Sequence, residues 1–204
     1  VLEDRPATSL ALVQVGTGQL TLSAANTYSG GTTINSGAKV IVANNAALGV
    51  GGLHLYGGTL QAGASAVTLA NNIIFHAGAT INAPNLTTFT LGGVLSNAPV
   101  MNLQIAGQGT TIFTNINTYA IPTVINSGAT LILSGSGSIA NSTSVTVNGT
   151  LDISPTTTGA SITTLSGAGG VNIAGKTLTI TNGSSTYSGV MTGAAGALTV
   201  SGGE

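Results

Sequence analysis

The sequence predicts an all-β protein, a single-stranded parallel β-solenoid of about nine coils, and three observations support this prediction. Short runs of alternating or β-branched residues occur along almost the whole chain, as in strands. Glycine occupies 31 of the 204 positions and separates these runs, which disfavours helices throughout. One motif returns at long offsets without a gap, which is typical of proteins built from stacked repeats.

The alternating runs are read as strands because each is bounded by Gly, Asn or Ser, the residues that favour turns. No stretch of ten or more residues shows the apolar stripe and the caps of a helix. In chain order, the clearest strand-like runs are residues 20–23, 39–42, 53–56, 145–148 and 178–181.

The repeated motif sets the expected coil length. Residues 26–38 read NTYSGGTTINSGA and residues 117–129 read NTYAIPTVINSGA, an offset of 91 residues. A shorter echo, STYSG at 185–189, lies roughly 68 residues further on. Both offsets divide into steps of about 23 residues, which predicts a rod of roughly 40–45 Å at about 4.8 Å per coil. Each coil must stack on its neighbours because it cannot bury its apolar face alone.

The motif also predicts where its side chains point. Ile34 and Ile125 are equivalent and are expected to face the core. Tyrosines at equivalent positions are expected to pack rather than to form a ligand platform. The recurrent asparagines are placed at coil corners, where Asn tolerates left-handed turns and its amide can ladder between coils. The tyrosines are Tyr28, Tyr119 and Tyr187, and the asparagines are Asn26, Asn35, Asn117 and Asn126.

Charge is almost absent from the chain. Three Lys and Arg and four Asp and Glu give a net charge of −1, and Glu3, Asp4 and Arg5 are adjacent. Without a basic cluster, neither nucleic acid nor an anionic membrane surface is an expected partner. No run of 18 apolar residues occurs, so this segment is not expected to insert into a membrane. The absence of cysteine excludes disulfides and thiolate metal sites.

The few titratable residues do not form a catalytic set. His54 and His76 lie about one coil apart, so they could stack and share a metal ion. No third ligand lies near them in sequence, and surface histidines are the favoured interpretation. Asp152 has no carboxylate partner of the kind a glycosidase needs, and is expected at a turn or strand end. We therefore predict no enzyme, no catalytic residue, no metal site and no cofactor.

Residues 20–37, LTLSAANTYSGGTTINSG, closely resemble the passenger-associated repeat of bacterial autotransporters, and residues 46–60 are similar to the same family in their sequence pattern. The full pattern covers residues 18–61, with degraded copies at 111–134 and 178–200. The resemblance implies a right-handed parallel β-helix, secreted to the surface of a Gram-negative bacterium. It also implies an adhesin-like stalk rather than an activity.

The two ends of the chain predict self-association. Residues 1–17 are expected to form an N-terminal cap or an exchanged strand, and residues 18–204 the β-helix repeats. Open strand edges favour pairing with another chain, and a net charge near zero offers little repulsion. The expected partner is a second copy of this chain, added end to end to give a fibre. The residues predicted at the joint are Leu10, Leu12, Val13, Val15, Leu198 and Val200.

Other roles stay open at the level of sequence. The chain could be a passive stalk segment of a larger autotransporter passenger, with an effector or glycan-binding region elsewhere. A host or biofilm surface is a further possible partner for an adhesin. An enzyme or toxin on the same solenoid is disfavoured by the missing charge.

Overall fold

The computed structural model describes residues 1–97 and 101–203, which form a stack of short strands. Every pair of named strands is parallel. No helix interrupts the strands in the described part of the chain. In chain order the strands are β1 (Leu12–Gln14), β2 (Gln19–Leu22), β3 (Thr32–Asn35), β4 (Lys39–Val42), β5 (Leu53–Tyr56), β6 (Thr59–Ala62), β7 (Ala66–Leu69), β8 (Ile73–Phe75), β9 (Ala79–Asn82), β10 (Thr88–Leu91), β11 (Leu95–Asn97), β12 (Leu103–Ala106), β13 (Thr110–Phe113), β14 (Thr123–Ile125), β15 (Thr130–Leu133), β16 (Val145–Val147), β17 (Thr150–Asp152), β18 (Ala160–Ile162), β19 (Leu165–Ser166), β20 (Gly170–Asn172), β21 (Thr177–Ile180), β22 (Val190–Thr192) and β23 (Ala197–Val200).

The strands build a solenoid with three faces. The first face is the five-stranded sheet β1-β3-β5-β8-β11. The second is the eight-stranded sheet β2-β4-β6-β9-β12-β14-β16-β19, and the third is the seven-stranded sheet β7-β10-β13-β15-β17-β20-β22. A three-stranded sheet, β18-β21-β23, follows the third face along the chain in the last coils. The chain makes about nine turns, so the predicted all-β parallel solenoid is confirmed.

The coil is shorter than the predicted step of about 23 residues. Thr110, Thr130, Thr150 and Gly170 stack directly on one another, which makes the common step about 20 residues. The shortest step joins Ala160 to Leu178, between β18 and β21. The longest joins β9 to β12. The predicted step is therefore too long.

The reason is that the repeat copies move around the rod. The strand within the first copy, β3, belongs to the first face, and the strand within the second copy, β14, belongs to the second. The strand after the third copy, β22, belongs to the third face. The two offsets between copies thus span about four and one third and about three and one third coils, at roughly 20–21 residues per coil.

Aliphatic columns run along the inside of the rod. Along the strands of the middle coils the inward residues are buried and the alternate residues are more exposed, as the pleat requires. Both Ile34 and Ile125 have 0% of their surface exposed, so their predicted inward orientation is confirmed. The longest column lies on the second face and contains Leu20, Val40, Leu60, Ile81, Ile105, Ile125 and Val147.

The N-terminal segment lies against its own chain. The Leu2 carbonyl accepts a hydrogen bond from the Thr27 N–H, and the Leu10 carbonyl accepts one from the Gly30 N–H. The Asp4 carboxylate accepts hydrogen bonds from the Ser29 hydroxyl at 2.5 Å and from the Leu10 N–H at 2.7 Å. These bonds, led by that of the Ser29 hydroxyl, lower the pKa of Asp4. Residues 2–10 therefore act as a partial first coil in this structure.

Candidate functional site: the repeat signature and the ends of the rod

Each copy of the repeated motif ties its own coil to the preceding one through a side chain two residues before the tyrosine. In all three copies a side-chain oxygen accepts a hydrogen bond from the backbone N–H of a leucine one coil earlier. The pairs are Leu2 N–H to Asn26 Oδ1 (2.7 Å), Leu95 N–H to Asn117 Oδ1 (2.9 Å) and Leu165 N–H to Ser185 Oγ (3.1 Å). Leu95 begins β11 and Leu165 begins β19, and each strand is the last of its sheet, so the motif satisfies a backbone donor that no further strand accepts.

The tyrosine of the motif is fixed by the threonine four residues later. The hydroxyls of Tyr28 and Thr32 lie 2.5 Å apart, and those of Tyr119 and Thr123 lie 2.9 Å apart. Burial raises the pKa of Tyr28 and of Tyr119, against a smaller opposing effect of the threonine hydrogen bond. Both tyrosines are buried, which confirms their predicted packing role. Tyr187 is partly buried and packs against the core.

The third copy replaces the threonine by Met191, and its tyrosine finds other partners. The Tyr187 hydroxyl donates to the carbonyl of Gly169 at 2.6 Å and also lies 3.2 Å from the carbonyl of Val190. The motif therefore keeps its tyrosine bonded even where its second polar residue is lost, because a buried phenol without a partner is costly.

A pair of Thr→Val substitutions tests this description. Thr123→Val removes a hydroxyl that bonds Tyr119 and Ser142, and we expect it to cost about 1–3 kcal/mol. Thr111→Val removes a buried hydroxyl that has no hydrogen-bond partner among the described residues. It lies between Phe89 and Leu131 in a column of the third face, so this change is expected to be neutral or stabilising by up to about 1 kcal/mol. Urea unfolding measures the free energy of unfolding of both variants. Equal decreases in the two variants would contradict the role of the Tyr119–Thr123 hydrogen bond.

Polar side chains on the outside also contact one another between coils. The Asn126 amide donates to the Gln104 amide oxygen, and the Asn82 amide donates to that of Gln61, each at 3.3 Å. These contacts agree with the expected laddering of amides, although the ladder joins Asn to Gln and not Asn to Asn. Asp152 ends β17 and accepts a hydrogen bond from the Ser154 N–H at 2.8 Å, as expected for a strand-end residue.

The residues predicted to mediate self-association lie at opposite ends of the rod. Leu10, Leu12, Val13 and Val15 lie in or beside β1 in the first coil, and Leu198 and Val200 lie in β23 in the last. All are exposed except Leu12, which is half-buried. The structure therefore brings the N-terminal group together and the C-terminal group together, but keeps the two groups about 40 Å apart at roughly 4.8 Å per coil.

A ring cluster on the first face joins two neighbouring coils. His54 Nδ1 and His76 Nε2 lie 2.9 Å apart, so one nitrogen donates a hydrogen bond to the other. The Tyr56 ring stacks on that of His76 with a centroid distance of 4.2 Å and an interplanar angle of 3°. The His54 and His76 rings are also stacked, with centroids 5.2 Å apart, as their spacing allowed.

The comparison with protein families agrees with this geometry. Residues 12–38 and 106–131 match the family described as passenger-associated-transport-repeat. These two segments fit the repeat of autotransporter passengers, and together they cover about a quarter of the chain. The matched segments contain the first two copies of the motif, with both buried Tyr–Thr pairs. Neither a curated protein nor a solved structure matches the chain.

The family match has consequences for location. Passenger segments of this family are secreted or lie at the cell surface, and we assign the same to this chain. No helix in the described ranges is long and apolar enough to cross a membrane. Within residues 1–97 and 101–203, no three His, Cys, Asp or Glu residues gather where they could hold a metal ion.

Two contacts in this chain are not predicted by the sequence. The first is the stacking of Tyr56 on His76. Strand pairing places Tyr56 opposite His76, one coil earlier. Asp4 belongs to a charged triplet in the sequence, and in the structure it anchors the N-terminal segment to Ser29. A coil length of about 20 residues predicts the contact between Tyr56 and His76. No feature of the sequence indicates the contact between Asp4 and Ser29.

The histidine pair predicts a weak pH dependence of stability. Burial, and secondarily the charge of His54, lower the pKa of His76. The unfolded chain then binds the proton more readily than the folded one, so stability is complete above the unfolded pKa of about 6.5 and falls as the pH drops below it. Because the His76 ring keeps contact with solvent, we expect a small decrease in melting temperature from pH 7.5 to 5, removed by His76→Gln. A steep transition, or a rise on acidification, would contradict this.

Proposed function

We propose that this passenger segment is a non-enzymatic structural β-helix that extends from the surface of a Gram-negative cell as part of an adhesin. The observation that carries the proposal is the single core cluster of mostly aliphatic side chains, which extends from Leu22 to Ile180 among the described residues. A β-solenoid gains stability from contacts between neighbouring coils, so its natural use is to cover distance.

The surface supports a role without catalysis. A groove of about 730 Å³ lies beside the three-stranded sheet β18-β21-β23. Its lining consists of Gly, Ser, Thr, Ala and Ile116 and includes no titratable side chain. Acid–base chemistry requires a positioned group that exchanges protons near neutral pH, and this groove offers none.

Deletion of one coil in phase tests the proposal. Removing residues 130–149 joins Ala129 to Thr150, so that β17 replaces β15 on top of β13 in the same register. We expect a folded rod shorter by about 4.8 Å, with surface display and adhesion of the full passenger retained. The matched control removes residues 130–139, half a coil, and should disrupt the stack. Loss of adhesion in a folded, displayed in-phase variant would contradict a spacing role.

A second candidate function, end-to-end self-association into a fibre, is favoured by the last coil. Leu198 and Val200 are 48% and 55% exposed, yet they continue columns whose previous members, Leu178 and Ile180, are buried. The open edge of β23 would accept one more parallel strand. We propose that the first coil of a second copy, through β1 and the exposed Val13, supplies it.

Point substitutions distinguish the fibre from a passive stalk. The double variant Leu198→Lys/Val200→Lys places charge on the open edge, and we expect it to reduce the chain to monomers in sedimentation velocity. Val50→Lys is the matched control, because Val50 is 76% exposed and lies at a corner away from both ends of the chain. Deleting residues 1–15 should also abolish fibres and leave β-rich circular dichroism intact. A wild-type chain that stays monomeric at high concentration leaves only the stalk.

A further inference from the structure

The ring cluster on the first face presents two imidazole nitrogens side by side at the surface. His54 lies in β5, and His76 directly follows β8, the next strand of the same sheet. The Leu55 carbonyl accepts a hydrogen bond from the His76 N–H at 2.8 Å, so the two backbones are locked in register. Both rings are half-buried, which leaves one side of the pair open to solvent.

The distance between the nitrogens is the observation that points to a ligand. A metal–imidazole bond is about 2.0–2.1 Å long, so two cis nitrogens on a square-planar ion lie roughly 2.8–3.0 Å apart, against roughly 3.3–3.4 Å on a tetrahedral ion. The nitrogens of His54 and His76 lie 2.9 Å apart. This hydrogen-bonded separation is close to the spacing of two cis ligands on a square-planar ion, the geometry that Cu²⁺ prefers.

The surroundings hold the rings close to this arrangement before any ion arrives. The Tyr56 ring covers one face of the His76 ring at an interplanar angle of 3° and restricts its rotation. The His54 and His76 rings are themselves stacked at 21°. His54 lies in a strand and His76 immediately follows one, so both are attached to the sheet, which favours a defined chelate. Binding requires that the donor imidazole hold its proton on its other ring nitrogen, and that both rings turn so that the two freed lone pairs point toward one ion.

We propose that His54 and His76 form a surface chelate for Cu²⁺, with water completing the coordination of the ion. Imidazole is a good ligand for Cu²⁺, and the Irving–Williams order places Cu²⁺ above Ni²⁺ and Zn²⁺. The site has two protein ligands, so it is an exchangeable binding site and not a structural centre of the fold. It is separate from the rod-forming role, because it uses outward residues that the core columns do not need.

Titration of the tag-free chain with Cu²⁺ at pH 7.5, followed by calorimetry and by pulsed electron paramagnetic resonance, tests the proposal. We expect one ion per chain and coupling of its unpaired electron to two imidazole nitrogens. His54→Asn and His76→Asn are each expected to weaken binding at least tenfold, because a chelate becomes a single ligand. Ni²⁺ and Zn²⁺ are expected to bind more weakly than Cu²⁺.

A conservative variant at Tyr56 and a test of folding serve as controls. Tyr56→Phe keeps the stacked ring and removes only its hydroxyl, so its affinity should stay within about threefold of the wild type. Circular dichroism verifies that the histidine variants are folded. The resonance spectrum of the wild type counts the coupled imidazole nitrogens directly, so this result does not depend on the folding of any variant. Coupling to one imidazole nitrogen only, or a wild-type affinity within threefold of the double variant His54→Asn/His76→Asn, would overturn the chelate. The solenoid and its spacing role would stand in either case.

Discussion

Replacing Ile125 by alanine is expected to lower the free energy of unfolding by about 2–5 kcal/mol, at the upper end of what a single truncation costs. Ile125 has no exposed surface and stacks between Ile105 and Val147 on the second face. Its removal leaves a cavity with aliphatic walls in the coil itself and in the coils on both sides. These neighbours are held by strand pairing and cannot close in to fill it.

Ile34 is the equivalent residue of the first repeat copy and tests how position along the rod matters. It is also fully buried, but its neighbours in the column are Gln14 and Leu55, and the coil beyond Gln14 is only partial. We expect Ile34→Ala to cost about 2–5 kcal/mol as well, but less than Ile125→Ala, because the end of the stack relaxes more easily.

The matched control for both is Ile116→Ala, since Ile116 is 60% exposed. A surface truncation of this kind is expected to change stability by no more than about 0.5 kcal/mol. Guanidinium unfolding, monitored by circular dichroism, provides the three values. If Ile116→Ala lowers the free energy of unfolding as much as Ile125→Ala does, the buried columns are not the main source of the stability of the rod.

The alternation of side chains was enough to predict which residues are buried, because one strand period decides which way each side chain points. Ile34, Ile125, Tyr28 and Tyr119 all face inward as the motif predicted. The parallel solenoid followed from the same patterning together with the repeats. Local sequence therefore specified the strands, their inward faces and the fact that coils stack, but not the register of the stacking.

The coil length was not predictable from the repeat offsets, for a geometric reason. The three faces present similar strands and corners, so one motif can serve at any of them. The offset between the first two copies is then compatible with whole coils of about 23 residues or with four and one third coils of about 21 residues. Only the strand pairing, such as Thr130 over Thr110, decides between them.

The same ambiguity explains what was missed on the surface. With the longer predicted step, His54 and His76 appeared as stacked equivalents one coil apart. In the structure Tyr56 is the residue stacked in register under His76, and His54 approaches from the neighbouring position. The close approach of the two ring nitrogens is a diagonal contact, and spacing along the chain does not reveal diagonal contacts.

The tightest corners of the rod provide the second large effect, at Gly107. This glycine follows β12 with φ of +92°, outside the range that side chains adopt readily. A Cβ at this position would collide with the carbonyl oxygen and carbon of Ala83 in the preceding coil. We expect Gly107→Ala to cost about 2–6 kcal/mol, as the sum of backbone strain and overpacking, each about 1–3 kcal/mol.

Gly135 separates these two contributions, because it has φ of +60° and a Cβ there would meet no atom within 4 Å. Leu86 already adopts φ of +61° in this chain, so that backbone conformation is accessible to a side chain. Gly135→Ala is expected to cost only about 0.5–1.5 kcal/mol, since the loss of unfolded-state entropy offsets part of the strain. Thermal unfolding of the two variants measures the difference. Equal losses would show that the left-handed backbone alone, and not the close approach of neighbouring coils, requires glycine at these corners.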